Sequence, residues 1–408
     1  MSFKRKLKRL VPNEKNNWRN KLKIYNELAD KIAIDEKTIL FQSSVGRNYT
    51  GSPRYIYEEM IEKGLDKEYK IAWVFEESVY NDIELPGNGT KLDKSSLKFL
   101  LYSRKSKYWI FDTRQPNYLK KNKDTVFIQT WHGTPLKKLA LDMETVDMSG
   151  NTDIEKYRKK FKRNTADWDY LVSQNSYSTE IFRRAFAFDG EMLEIGYPRN
   201  DILFKKNTKE DIEEIKEKLN IPKDKKVILY APTWRDNEFH KNGIYKFATE
   251  MDFDAMKEAL EDDYLLIVKY HYSVKENIDW DKYAPFIIEC NETWDIQELY
   301  LISDILITDY SSVMFDYAIL KRPMLFFTYD LEFYKNKLRD FYFDMVAEVP
   351  GPLVETTEDL IAEIKSLNDD DYFEKYGDKY EKFNEKFNEF DNGTASSEII
   401  KIITDDNN

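Results

Sequence analysis

The sequence predicts an α/β protein made of two Rossmann-like, doubly wound domains in tandem, with a cleft between them. Three observations carry this. Short apolar runs alternate with charged, helix-compatible stretches, the pattern of parallel strands covered by helices on both faces. The runs fall into two series, separated by a charged helix and linker at 206–224. The chain's 408 residues are too many for one ordinary core and suit two domains of about 150–200 residues each.

In chain order, residues 1–34 form a basic amphipathic segment, with Phe3, Leu7, Leu10 and Val11 on one side of a helix and Lys4, Arg5, Lys6, Lys8 and Arg9 on the other. Such a segment suits an anionic membrane surface, each basic residue contributing about 1 kcal/mol, and also suits a solvated terminus. Strands are expected at 38–42, 69–75, 108–112, 125–131, 170–173 and 192–195, giving a first domain at 35–205. A second domain at 206–390 takes strands at 227–231, 264–269, 286–290, 305–308 and 324–328, and residues 391–408 close the chain as a helix end and acidic tail.

Composition narrows the function. Hydrophobic residues at 41% are enough for two cores, which excludes generic disorder. A formal net charge of −12 argues against sequence-independent nucleic-acid binding. Cys290 is the single cysteine, so no internal disulfide forms, and its place in an expected strand reads as an inert buried thiol. No apolar run approaches the roughly 18–20 residues of a membrane span, and no signal-peptide core follows the basic start.

In open parallel sheets ligands bind beyond the carboxyl ends of the strands, so polar residues there are the candidates. His132 lies in Thr130-Trp131-His132-Gly133-Thr134-Pro135 at a strand end, where an imidazole either braces a turn or takes a proton from an attacking hydroxyl. His271 follows a strand of the second series, where it could bind a phosphate oxygen or cap a loop. Ser311 and Ser312 sit where Thr308-Asp309-Tyr310 runs into a helix, and serve either as ordinary N-caps or as an anion site. Arg235 ends a further strand and suits a diphosphate or a surface carboxylate equally, while Arg199, with Asn200 and Asp201, ends another whose bland reading is a simple interdomain turn. A Gly-rich phosphate loop, a dinucleotide fingerprint and zinc-ligand spacing do not occur.

In this order, Trp131-His132-Gly133-Thr134-Pro135-Leu136-Lys137, Gly196-Tyr197-Pro198-Arg199-Asn200-Asp201, Ala231-Pro232-Thr233-Trp234-Arg235 and Thr308-Asp309-Tyr310-Ser311-Ser312-Val313-Met314-Phe315-Asp316 resemble the CDP-glycerol glycerophosphotransferase family of teichoic-acid synthesis. Ser52-Pro53-Arg54, Arg339-Asp340-Phe341-Tyr342-Phe343-Asp344 and Pro350-Gly351-Pro352 look like its flanking motifs. The resemblance implies a GT-B-like fold and transfer of a polyol phosphate from CDP-glycerol, or CDP-ribitol, to an undecaprenyl-linked saccharide or polymer acceptor, with release of CMP. His132 and His271 would be catalytic, with His132 as base. Arg235, Thr308, Asp309, Ser311, Ser312, Asp316, Gly133, Thr134 and Arg199 would bind substrate. No cofactor is required by this reading, and a divalent cation at the diphosphate stays open.

Such an acceptor gives the basic start a purpose, holding the protein peripherally on the cytoplasmic face of the membrane. The family's larger polymerases carry a long N-terminal extension that this sequence does not show, which argues against processive polymerisation. A nucleotide-sugar glycosyltransferase of the same architecture and a non-catalytic scaffold for precursors are the rival readings.

Overall fold

The computed structural model describes residues 18–146, 153–233, 239–240, 244–245, 250–269, 278–290, 293–331 and 341–405. The basic start at 1–17 lies outside them, as do Arg235 and His271.

Two parallel sheets form. The first has seven strands in the order β3-β2-β1-β4-β5-β6-β7: β1 (Asp35–Gln42), β2 (Lys70–Phe75), β3 (Thr90–Asp93), β4 (Ser106–Phe111), β5 (Val126–Gln129), β6 (Tyr170–Ser173) and β7 (Glu191–Glu194). A two-residue hairpin, β9 (Phe239–His240) with β10 (Ile244–Tyr245), stands apart. The second sheet has six strands in the order β12-β11-β8-β13-β14-β15: β8 (Lys226–Ala231), β11 (Tyr264–Val268), β12 (Ile287–Glu289), β13 (Ile305–Thr308), β14 (Met324–Phe327) and β15 (Leu353–Val354). In each sheet the order reverses beside the first strand, which opens a crevice at the carboxyl ends.

The central strands are buried on both faces, as their continuous apolar runs require; Ile39, Leu40 and Phe41 of β1 are fully covered. Aromatic rings extend this core across neighbouring strands. Trp73 stacks between Phe41 at 5.2 Å and Phe75 at 5.9 Å, each pair contributing about 0.5–1.5 kcal/mol beyond area burial. Within the two parallel sheets, the strands not expected from sequence, β3 and β15, are short edge strands.

The chain crosses between the two halves twice, at 195–208 and at 388–394, and the crossings touch. Asp391 accepts the Tyr197 N–H at 3.0 Å, and Phe390 N–H donates to the Gln174 carbonyl at 3.2 Å. The helix Ala395–Asp405 returns to the first half, where Ile399, Ile400 and Ile403 pack with Ile39, Phe41, Tyr57 and Trp73. Asp201 caps it, accepting the N–H groups of Ala395 at 3.0 Å and Ser396 at 2.8 Å. Cys290 lies just past β12, half-buried, with the Lys269 ammonium 3.5 Å from its sulfur; burial raises the thiol's pKa, as expected of an inert side chain.

Candidate active site

The site is built around the turn that follows β5. Trp131 takes a left-handed backbone, φ 54°, and Gly133 follows at φ 150°, so His132 is presented by a tight, strained turn rather than by a regular element. The Trp131 ring stacks on the imidazole at 4.3 Å and is itself wedged against Phe186 at 4.6 Å. The His132 carbonyl accepts a hydrogen bond from Arg199 Nη1 at 2.8 Å. Across the cleft stands the second half: a Cβ at Gly133 would come within 3.1 Å of Ser312 Oγ, so only glycine leaves that approach unstrained.

His132 is exposed as a residue, while protein crowds its imidazole. Burial, Arg199 and Arg114 together push its pKa down to about 4. The ring is therefore neutral at pH 7 and able to accept a proton. Asp112, which ends the neighbouring β4, is pushed up to about 7 by burial although its carboxylate accepts the Ser44 N–H at 2.9 and 3.1 Å. Ser44 and Val45 both have positive φ, 46° and 62°, so the loop after β1 is strained at the same edge of the sheet.

Several residues expected to bind substrate face inward instead. Asp316 is 2% exposed; its Oδ2 pairs with Arg199 Nη2 at 2.6 Å, and its Oδ1 accepts from Asn200 at 3.1 Å and Gln174 at 3.3 Å. Arg199 and Asp316 thus form an ion pair across the two halves rather than an open diphosphate clamp. Asp391 adjoins this pair, and burial together with Asp316 raises its pKa to about 8. The Thr134 hydroxyl is buried, donating to Gln174 Oε1 at 2.6 Å and accepting from Asn175 at 3.1 Å. Thr308 Oγ1 donates to the Ala231 carbonyl at 2.8 Å, and Asp309 accepts the N–H groups of Thr233 at 2.7 Å and Tyr310 at 2.6 Å. These side chains shape the loops that flank the cleft.

Ser311 and Ser312 remain partly exposed at the rim. The helix they precede, Val313–Tyr317, has only five residues, so the contribution of a helix dipole there is small and the hydroxyls and loop amides are the polar groups on offer. Among the described residues no group of three or more His, Cys, Asp and Glu could hold a metal ion.

Two of the flanking motifs named from the sequence supply ties that hold the two walls together, a role the sequence did not assign to them. Arg54 reaches Asp295 at 3.6 Å and Glu298 at 3.4 Å, while the Tyr55 hydroxyl donates to Asp295 Oδ1 at 3.1 Å. Phe341 bridges Lys137, and the Tyr342 hydroxyl donates to Asp142 at 2.8 Å and accepts the Leu139 N–H at 3.0 Å, clamping the segment that follows the His132 turn. Gln174 and Asn175 follow β6 at the same sheet edge as His132 follows β5, and the rule of polar residues after strands could have found them.

Residues 24–405 match the family described as CDP-Glycerol:Poly(glycerophosphate) glycerophosphotransferase. The chain belongs to this family. It is 47% identical over 377 residues to the teichoic acid poly(glycerol phosphate) polymerase of Bacillus subtilis, covering 91% of the present chain and 50% of that protein. This chain thus spans about half the length of that relative. It is 42% identical over 371 residues to the teichoic acid glycerol-phosphate transferase of Staphylococcus aureus, covering 90% of this chain and 93% of that one. Among solved structures it is similar to the wall teichoic acid polymerase TagF, in a histidine-to-asparagine form soaked with CDPG: TM-score 0.89, 42% identity, 96% of this chain and 94% of that chain. The family member therefore has the GT-B-like, two-domain α/β fold.

Proposed function

We propose that this chain transfers glycerol phosphate from CDP-glycerol to a hydroxyl of a teichoic-acid-type acceptor and releases CMP. The observation that carries the reading is the exposed His132, held on a strained turn whose Gly133 faces Ser312 across the cleft. His132 takes the proton of the acceptor hydroxyl as its oxygen attacks the β-phosphorus of the donor. The new acceptor-oxygen–phosphorus bond forms, the bond from that phosphorus to the bridging oxygen breaks, and CMP departs with the bridging oxygen.

Ser311, Ser312 and the loop amides beside them hold the diphosphate, with Arg235 and His271 assigned to the same task by the family resemblance. Arg199 acts behind the site: paired with Asp316, it grips the His132 carbonyl and fixes the turn. Its charge, with that of Arg114, keeps His132 deprotonated until a polyanionic donor arrives; the donor's negative charge then raises the proton affinity of the imidazole when the proton must be taken. A lipid-linked acceptor places the protein at the cytoplasmic membrane surface, and the basic residues 4–23 are the segment suited to contact it.

Glycerol is favoured over ribitol because the relatives at 42–47% identity are named for glycerol phosphate. The test supplies CDP-glycerol or CDP-ribitol with a lipid-linked acceptor and identifies the nucleotide released. CMP from CDP-glycerol, with a loss of about 100-fold or more in His132→Ala, is expected. Release of a nucleoside diphosphate, or full activity in His132→Ala, refutes the assignment.

A further inference from the structure

We propose that Arg114 is a binding residue for the acceptor, holding the phosphodiester that precedes its attacking hydroxyl. The inference rests on the transfer reaction above and goes one step further, assigning an anionic subsite on the first-domain wall.

Backbone register places Arg114 beside His132. Strands β4 and β5 run parallel with Phe111 opposite Gln129, and both chains leave the sheet at the same edge. The pairing continues past the strands: Thr130 N–H donates to the Phe111 carbonyl at 2.9 Å, and Gln129 Nε2 donates to the Thr113 carbonyl at 3.2 Å. Arg114 lies three residues beyond the end of one strand and His132 three beyond the end of the other. Both rest on one aromatic wall. The guanidinium lies 4.5 Å from the Phe161 ring centre and 5.7 Å from that of Tyr157; Phe161 contacts Phe186 at 5.0 Å, and Phe186 contacts the Trp131 ring that backs His132.

Arg114 differs from the other arginines around the cleft. Arg54 and Arg199 are each tied to carboxylates. Among the described residues Arg114 has no carboxylate within ion-pairing distance, and its recorded contacts are the two rings, which support the face of the guanidinium and leave its five N–H donors in plane for a ligand. It is half-buried, and burial lowers its pKa, the penalty expected of a cation desolvated without a counter-ion. A planar fork in that state matches a phosphodiester.

The family's description names the matching substrate, a poly(glycerophosphate). In such a chain the terminal hydroxyl and the preceding phosphodiester are the two ends of one glycerol unit. With the hydroxyl at His132, a phosphate one glycerol away falls on the wall where Arg114 stands. The donor diphosphate is assigned to the opposite wall, at Ser311 and Ser312, so the acceptor is the source of phosphate that fits this side.

The experiment uses the full chain and the variants Arg114→Gln and Arg114→Lys. Binding of glycerophosphoglycerol is measured by calorimetry, and initial rates are measured with an acceptor ending in glycerol phosphate and with a neutral acceptor whose terminal glycerol lacks the phosphate. Arg114→Gln should weaken glycerophosphoglycerol binding about tenfold or more and raise KM for the phosphate-bearing acceptor about 10- to 100-fold, the worth of one charge-assisted contact. The neutral acceptor and CDP-glycerol should keep their KM values, and Arg114→Lys should recover part of the loss. An increase confined to the KM of CDP-glycerol assigns Arg114 to the donor and overturns the proposal. Equal rises in KM with both acceptors, or unchanged binding in a folded Arg114→Gln, overturn it too; a change in kcat common to both acceptors reports the effect of the Arg114 charge on His132. If the wild-type chain releases no CMP from CDP-glycerol, the transfer reading fails on its own, and the calorimetric comparison still decides the subsite.

Discussion

Removing either member of the Arg199–Asp316 pair should destabilise the protein strongly, and unequally with pH. The two groups meet at 2.6 Å with side-chain exposures of 12% and 2%, so neither can recover its hydration when the other is lost. Breaking a buried pair from one side costs about 3–5 kcal/mol, whereas removing both partners together costs much less. Arg199→Ala, Asp316→Ala and the double variant therefore form a cycle with a coupling energy of about 2 kcal/mol or more. In Arg199→Ala two buried carboxylates, Asp316 and Asp391, face each other without their cation. Asp391 already has its folded-state pKa raised to about 8, so the native state holds a proton that the unfolded chain has released above about pH 4. Stability from that group is complete below the unfolded pKa and is lost as pH rises toward 8, with a slope of at most about 1.4 kcal/mol per pH unit. Without the nearby Arg199 cation the Asp391 carboxyl holds its proton to still higher pH, and the destabilisation should be larger at pH 8 than at pH 6. Urea unfolding followed by tryptophan fluorescence at both pH values reads the effect as a shift in midpoint at constant slope. Single variants that each lose less than about 1 kcal/mol, or a cycle that closes additively, would show that the pair is hydrated and would falsify this account.

Two further outcomes follow from the geometry. In a nuclear magnetic resonance titration of the ligand-free chain, the His132 imidazole should protonate near pH 4 rather than near the ordinary 6.5; because the folded pKa is depressed, this group adds stability as pH rises from about 4 to 6.5, and a midpoint at 6.5 would refute the crowded, cationic setting. Gly351→Ala should cost about 1–3 kcal/mol or prevent folding, since its Cβ would overlap the Met324 carbonyl oxygen and approach the Tyr372 hydroxyl to 2.9 Å; an unchanged thermal midpoint would show that this contact can relax.

The sheets were legible because a strand buried on both faces must be apolar throughout, as Val227 to Ala231 and Ile305 to Ile307 are. Thr90–Asp93 and Leu353–Val354 were not, since an edge strand of two to four residues with one buried side chain leaves no such run. At the site, the positions of His132, Gly133 and Ser312 followed from their place after strands. The inward turn of Thr134, Thr308, Asp309 and Asp316 did not, because residue type and spacing do not say which side of a loop a polar group faces. Arg199 illustrates the limit: an arginine suits a diphosphate and a carboxylate equally, and its partner Asp316 lies more than a hundred residues away. Asp391 was invisible for the same reason, its role depending on Gln174, Tyr197 and Asn200.

The two crossings of the backbone at 195–208 and 388–394 lie against each other, with Asp391 bonded to Tyr197 and Asn200. One tether would act as a swivel and let either lobe wander in any direction. A pair of tethers laid side by side behaves as a door's pin: it permits the lobes to part about a single axis and resists twisting and sliding. With twist and slide resisted, Ser312 keeps its place over Gly133.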